Sequence, residues 1–152
     1  MSFFNSRMAE MLSSFSKGEL GGDLSDILSE GFVFDEGCIF FSKFWSGGDV
    51  VGGSQLCGGM SGLEAVINKF HIEDFVDGSS NIFGQAMAFL ESFCKRWRAC
   101  TSERGVVFIS YDNSELGDVC VFRFHVLRDQ DLWMDVSDID KLEEAMLVSI
   151  VG

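Results

Sequence analysis

Residues 106–127 read VVFISYDNSELGDVCVFRFHVL, and this stretch decides the fold class. Val106 to Tyr111 is rich in β-branched and aromatic residues, which favour strands. Residues 112–118 are polar and include a glycine, so they predict a turn. Val119 to Leu127 alternates apolar and polar side chains, which places Cys120, Phe122, Phe124 and Val126 on one face of a strand. Two strands joined by a short turn predict an antiparallel pair.

Helices are predicted where apolar residues recur every three to four positions. In chain order these segments are 3–17, 23–30, a helix that begins at the capping-box sequence Ser61-Gly62-Leu63-Glu64, and 81–99. A last helix is capped by Ser137–Asp140 and carries Ile139, Leu142, Met146 and Ile150. The helix over 81–99 has the longest apolar stripe. We expect its Phe89, Phe93 and Trp97 to pack against Phe122 and Phe124.

Two further features complete the predicted organisation. Strands are expected over 32–36 and 38–45, joined by a hairpin turn at Asp35–Gly37, and over 132–134. Residues 46–62 hold seven of the 17 glycines and predict a mobile loop that serves as a connection or a partner contact. Short turns between strands and the absence of a linker indicate one α+β domain over residues 1–152, with helices packed on an antiparallel sheet.

The net charge of the chain indicates the kind of partner. There are 24 Asp and Glu against 11 Lys and Arg, which gives a formal net charge of -13 in 152 residues. Residues 112–144 contribute ten of the acids and three of the bases. Such a field attracts cationic partners and repels phosphate, so it disfavours direct binding of DNA or RNA. We therefore expect a basic protein partner.

The predicted binding surface consists of acids in this stretch and one aromatic residue among them. Its members are Asp112, Glu115, Asp118, Asp129, Asp131, Trp133 and Asp135. Aromatic side chains within polar surroundings are frequent energetic centres of protein interfaces, so Trp133 is the expected anchor. A solvated surface with no partner is the alternative interpretation of the same acids.

The residue types needed for catalysis or metal binding do not form a recognisable motif. His71 and His125 stand apart from any serine or cysteine nucleophile motif, and His125 is expected on the polar face of its strand beside Arg123. The five cysteines lack CxxC spacing, which favours reduced thiols. The acids at 129–131 fail the EF-hand pattern. We expect no catalytic residue, no metal, no cofactor and no enzymatic activity.

In size, acidity and α+β layout the chain resembles bacterial toxin-immunity proteins. The residues that carry this resemblance are the strand Phe122–His125, the acidic turn Asp129–Asp131, Trp133 and the acidic, capped helix predicted after it. The resemblance implies a small cytosolic inhibitor that covers the active site of a basic toxin domain, often a nuclease.

Two other families offer alternative functions. Residues 22–34 and 62–67 are similar to the opening of NTF2-like domains, which implies a pocket for a small molecule. Size and acidity also resemble type III secretion chaperones, which implies a dimer that binds an unfolded segment. No apolar run reaches 18 residues and the N-terminus resembles no secretory signal, so we expect a cytoplasmic protein without a membrane span. The oligomeric state stays open.

Overall fold

The structure is a computed structural model that describes residues 1–77 and 81–152. Two antiparallel sheets contain strands β1 Ser2–Phe4, β2 Phe32–Asp35, β3 Cys38–Phe41, β4 Phe70–His71, β5 Gly105–Ser114, β6 Gly117–Val126 and β7 Ala145–Val151. The larger sheet has the order β1-β7-β5-β6-β4, and β2 pairs with β3 in the smaller one.

The helices lie between these strands along the chain. They are α1 Ser6–Ser14, α2 Gly22–Glu30, α3 Val50–Leu56, α4 Met60–Ile67 and α5 Ile82–Cys100, with 3₁₀ helices at Ile72–Phe75 and Val136–Lys141. This arrangement confirms the predicted α+β class. The expected helix over 23–30, the β2–β3 hairpin and the helix over 81–99 are all present.

The predicted pair of strands is the centre of the larger sheet. β5 and β6 pair without interruption from Gly105↔Val126 to Ser114↔Gly117. Only Glu115 and Leu116 lie between the two strands, so the turn is much shorter than the predicted 112–118. The polar residues on either side of the turn extend the strands, because the backbone ladder needs no apolar side chains.

The core lies between this sheet and α5, as expected. Phe89, Phe93 and Trp97 are fully buried, and so are Phe122 and Phe124 of β6. The ring centroids of Phe89 and Phe122 are 4.8 Å apart, and those of Phe93 and Phe124 are 5.0 Å apart. These distances fall within the range of favourable aromatic pairs. The prediction for these five residues is confirmed.

Residues 127–142, here called the covering segment, pack on the other face of the sheet. Trp133 lies against Phe108 of β5 with ring centroids 4.9 Å apart, and Ile139 and Val136 reach the cluster that includes Phe3 of β1. The segment therefore crosses the sheet instead of pairing with it. The predicted strand at 132–134 is wrong, because Trp133 and Met134 pack onto a sheet face that is already complete, whereas Leu132 is exposed.

The C-terminal helix is also a wrong prediction. The acidic cap is followed only by the 3₁₀ helix Val136–Lys141, and Ala145–Val151 forms β7 between β5 and β1. Six of its seven residues are buried and Ile150 is half-buried. A central strand covered on both faces does not alternate, so its apolar run can resemble part of a helix.

At the N-terminus the structure replaces the predicted helix over 3–17 with β1 and α1. Asn5 ends the strand and caps the helix, since its Oδ1 accepts hydrogen bonds from Met8 N and Met146 N, each at 3.1 Å. Its Nδ2 donates to the carbonyl of Glu144 at 2.8 Å. One buried amide thus joins both ends of the chain.

The predicted loop over 46–62 contains helix instead. Asp49 caps α3 by accepting a hydrogen bond from Gly52 N at 3.0 Å, and α4 begins at Met60. Val50 and Leu63 pack with Cys38 and Phe40 in a separate buried cluster. Burial of these side chains offsets the low helix propensity of the glycines, so the prediction of a mobile loop is wrong for α3 and the start of α4.

Candidate functional site

The β5–β6 hairpin extends beyond the rest of the sheet. On one side β7 pairs with β5 only as far as Tyr111↔Ala145, and on the other side β4 pairs with β6 only as far as His71↔Val121. The two strands nevertheless continue to pair with each other to their turn. Residues 112–119 therefore form a two-stranded projection, here called the hairpin arm.

The hairpin arm combines acids with exposed apolar side chains. Asp112 and Glu115 are exposed, Leu116 is 100% exposed and Val119 is 37% exposed. No Lys or Arg occurs in residues 112–119. Asp118 is half-buried beside Tyr111, and burial together with this carboxylate raises the pKa of Tyr111 to about 12. Three predicted site residues, Asp112, Glu115 and Asp118, are thus brought together.

The other four predicted site residues lie elsewhere. Asp129, Asp131, Trp133 and Asp135 follow the opposite end of β6, in the covering segment. β6 advances nine residues from Gly117 to Val126, which corresponds to about 30 Å. The seven predicted residues therefore lie in two separate groups. Acids near the turn of an antiparallel hairpin and acids that follow its second strand lie at opposite ends of that strand.

Three of these four side chains have contacts within the molecule. Asp131 Oδ2 accepts a hydrogen bond from Ser61 N at 2.9 Å, at the N-terminus of α4. The guanidinium carbon of Arg123 lies 4.1 Å from the centroid of the Trp133 ring, which is a cation–π contact. Asp135 caps the 3₁₀ helix, and the hydrogen bonds from Ser137 lower its pKa. Asp129 is exposed.

The most heavily hydrogen-bonded carboxylate in the described residues is that of Glu64 in α4. Its carboxylate is fully buried and accepts hydrogen bonds from Ile39 N at 2.7 Å and Val126 N at 2.9 Å. Arg128 donates to both carboxylate oxygens, at 2.7 and 3.1 Å, and also to the Gly37 carbonyl at 2.9 Å. The sequence had suggested a capping-box role for Glu64, and that interpretation is wrong.

Asn68, one turn further along the chain, extends the same network. Its Oδ1 accepts a hydrogen bond from Phe41 N at 2.9 Å, and its Nδ2 donates to the Ile39 carbonyl at 2.9 Å and the Phe124 carbonyl at 3.4 Å. Glu64 of α4 and Asn68, which caps the C-terminus of α4, thus satisfy the facing edges of β3 and β6. The two sheets are joined through Glu64 and Asn68 where no strand lies between them.

Both histidines lie within hydrogen-bond distance of neighbouring groups. His125 is fully buried, not on a polar surface as expected: its Nδ1 lies 2.7 Å from the Val126 carbonyl, and its Nε2 lies 3.5 Å from Trp133 N. Burial lowers the pKa of His125 and favours the neutral ring. His71 Nδ1 lies 2.8 Å from Glu73 Oε1. Burial raises the pKa of Glu73, but hydrogen bonds from Cys120 N and His71 outweigh it and lower the pKa overall.

Within residues 1–77 and 81–152, no three His, Cys, Asp or Glu side chains are grouped as a metal ion would require. The cysteines of the described chain are all free thiols. Burial raises the pKa of Cys38 to about 11 and also raises that of Cys120, so both thiols are held in the protonated form.

In the same part of the chain, no helix has the length and apolarity to span a membrane.

Sequence comparison places the chain in a family. The model of the Uncharacterized protein PM0498 family matches residues 3–151. The chain belongs to this family. Its relative Uncharacterized protein PM0498 from Pasteurella multocida (strain Pm70) is 32% identical over 146 residues, which cover 91% of this chain and 89% of the relative. No solved structure matches the chain. The matched range spans the hairpin arm and the positions of Glu64 and Arg128.

Proposed function

We propose that this protein is an acidic cytosolic binding protein that inhibits a basic toxin domain, with the hairpin arm inserted into a cationic cleft of that partner. The observation that carries the proposal is the hairpin arm itself. It projects beyond the sheet, it presents Asp112 and Glu115 to solvent, and Leu116 at its tip is 100% exposed. An apolar tip flanked by acids suits a pocket that is lined by Lys and Arg.

The hairpin arm has an ordered backbone, which favours binding. Its strands keep regular pairs up to Ser114↔Gly117, and Ser114 Oγ donates a hydrogen bond to the Gly117 carbonyl at 2.9 Å. A segment that is already ordered loses little conformational entropy when it binds. A net charge of -13 adds long-range attraction to a basic partner.

The interior of the protein does not favour the NTF2-like alternative. Such a domain needs an apolar pocket between sheet and helix. Here the side chains that would line it, Phe122 and Phe124, are fully buried against Phe89, Phe93 and Trp97. The chaperone alternative needs a dimer, and it can be tested by the oligomeric state in solution.

The test is co-expression of the tagged chain with basic proteins encoded beside its gene, followed by binding kinetics on any complex. We expect association faster than the unsteered range of about 10⁵–10⁶ M⁻¹s⁻¹, and a rate that falls as salt increases. Asp112→Asn combined with Glu115→Gln should slow association. Asp23→Asn combined with Asp26→Asn removes the same charge from exposed positions of α2 and should have a smaller effect. Equal effects from both pairs would show that the hairpin arm is not the contact.

A further inference from the structure

A cleft at the opposite end of the molecule has the chemistry to bind a cationic side chain. It has a volume of about 380 Å³, within the roughly 300–1,000 Å³ of ligand pockets. Its lining comes from the β2–β3 hairpin, the α5–β5 connection and the end of β6, and includes Phe34, Glu36, Ile39, Glu103, Leu127 and Arg128. The cleft lies about 30 Å from the turn of the hairpin arm, so it is a separate site.

The walls of the cleft are apolar and its rim is acidic. Phe34 is 57% exposed, which is unusual for a phenylalanine in a chain whose other rings mostly form the core. Glu36 and Glu103 are both exposed, and neither takes part in an ion pair of the described residues. The cation at the cleft, Arg128, is already bound by Glu64. The rim therefore keeps an unbalanced negative charge.

The three parts of the cleft are held in place by hydrogen bonds between them. Arg128 binds the Gly37 carbonyl at 2.9 Å and so fixes the β2–β3 turn to the end of β6. Trp97 Nε1 donates to the Glu103 carbonyl at 2.8 Å, and Leu127 N donates to the Arg104 carbonyl at 2.7 Å. The backbone segments that carry Phe34, Glu36 and Glu103 are thus positioned before any ligand arrives, which lowers the entropic cost of binding.

From this geometry we infer that the cleft binds a Lys or Arg side chain presented by a basic protein partner. The aliphatic part of that side chain packs on Leu127 and the Phe34 ring, and the Glu36 and Glu103 carboxylates accept its hydrogen bonds. Such a side chain combines the apolar stem and the charged end that the cleft requires. A ring face beside a cation adds a cation–π attraction. The inference does not depend on the hairpin arm.

The conformation of Glu36 provides a sharp test variant. Glu36 has φ 47° and Gly37 has φ 81°, so a glutamate occupies a left-handed turn position that favours Asn or Gly. Glu36→Asn therefore relieves backbone strain and removes the charge at once. We expect this variant to unfold at a higher denaturant concentration and yet bind the cationic probe more weakly. A purely structural role for Glu36 does not produce this combination.

The experiment titrates the ¹⁵N-labelled full chain with acetyl-Gly-Arg-Gly-amide at constant ionic strength and follows backbone amide shifts. The matched probe replaces Arg with citrulline, which has nearly the same shape and no charge. We expect saturable shifts at Phe34, Gly37 and Leu127 with the Arg peptide and none with the citrulline peptide. Shifts confined to the hairpin arm, shifts that do not saturate, or no shifts at all overturn the inference.

Variants then test which side chains bind the peptide. Glu36→Asn combined with Glu103→Gln should weaken binding roughly three- to tenfold, because two exposed ion pairs are lost. Phe34→Ala should weaken it about threefold or more. The control pair Asp23→Asn and Asp26→Asn removes the same charge from α2 and should change binding less than about twofold. If the control pair weakens binding as much as the cleft pair, the attraction is that of the whole molecule and the inference fails.

Discussion

At the scale of single residues, Glu64 makes the clearest prediction. Its buried carboxylate holds the Arg128 guanidinium and the backbone N–H groups of Ile39 and Val126. Glu64→Ala leaves the Arg128 cation without its counterion and two buried backbone donors without acceptors. We expect this variant to lose about 3–5 kcal/mol in its free energy of unfolding, measured by urea denaturation.

An exposed ion pair provides the control for this experiment. Glu91 binds Lys17 and Lys95 at the surface, and these two hydrogen bonds lower its pKa to about 2. Because solvent and salt screen such a pair, Glu91→Gln should leave the urea midpoint unchanged. If the two variants lose the same stability, burial of the Glu64 network contributes nothing beyond an ordinary surface pair.

His125 predicts how stability depends on pH. Burial lowers its pKa in the folded protein below the ordinary value of 6.5. As the pH falls, the unfolded chain therefore takes up a proton before the folded one does. The free energy of unfolding contributed by this site decreases as the pH falls below about 6.5, until the pKa of the folded state is passed.

The measurement compares urea midpoints at pH 7.5 and 5.5 for the wild type and His125→Gln. The glutamine amide can donate to the Val126 carbonyl and accept from Trp133 N, and it does not titrate. We expect the wild type to lose more stability than the variant between these two pH values. An identical loss in both proteins would assign the effect to other groups.

At the scale of elements, the packing of α5 on β6 predicts a large difference between two phenylalanines. Phe93 of α5 is fully buried and its ring contacts those of Phe122 and Phe124, whereas Phe34 of β2 is 57% exposed. Phe93→Ala should cost roughly 3–5 kcal/mol of stability, because it leaves a cavity in the core. Phe34→Ala should shift the denaturation midpoint far less. Comparable losses would contradict the division into core and cleft.

The sequence predicts α5 and β6 well because each has one buried face. Phe89, Phe93 and Trp97 repeat at helical spacing, and Cys120, Phe122 and Phe124 alternate, so both periods are visible. β7 has no such pattern, because it is covered on both faces. Its apolar run after Glu144, rich in β-branched residues, is the signal that could have identified a central strand.

Contacts between residues that are remote in sequence are not visible in local sequence patterns. β1 pairs with β7, and the register joins Phe3 to Val148. A pairing between the two ends of the chain depends on the assembled sheet, so Phe3 and Phe4 resemble the start of a helix when only their neighbours are considered. Asn5 is missed for the same reason, since its partners at Glu144 and Met146 are remote in sequence.

At the scale of the whole molecule, the candidate sites show how a linear cluster of acids is divided by the fold. Residues 112–144 are acidic as a block, but the hairpin places Asp112 and Glu115 at one end of the sheet and Asp129 at the other. The cleft combines Glu36 and Glu103, which are 67 positions apart and lie outside that block. The charge counts predict a partner of positive charge. The topology is needed to show which acidic side chains share a surface.

The three tryptophans allow the predicted single domain to be tested part by part. Trp97 belongs to the core between α5 and the sheet, Trp133 packs in the cluster under the covering segment, and Trp45 packs in the cluster of α3 and α4. If the described chain is one cooperative unit, all three clusters unfold together.

Three variants, each with two Trp→Phe replacements, retain a single tryptophan apiece. Replacing Trp97 removes its hydrogen bond to the Glu103 carbonyl and replacing Trp45 removes its bond to Asp35, so the variants will differ in absolute stability. The decisive comparison is therefore made within each protein, between tryptophan fluorescence and far-ultraviolet circular dichroism over the same urea series. We expect the two midpoints to coincide in all three variants. Each cluster includes residues of β3, β5, β6 or β7, and α4 and α5 join the sheets to which these strands belong. A fluorescence transition that precedes the loss of secondary structure for Trp45 alone would instead make the α3–α4 region a separately unfolding unit.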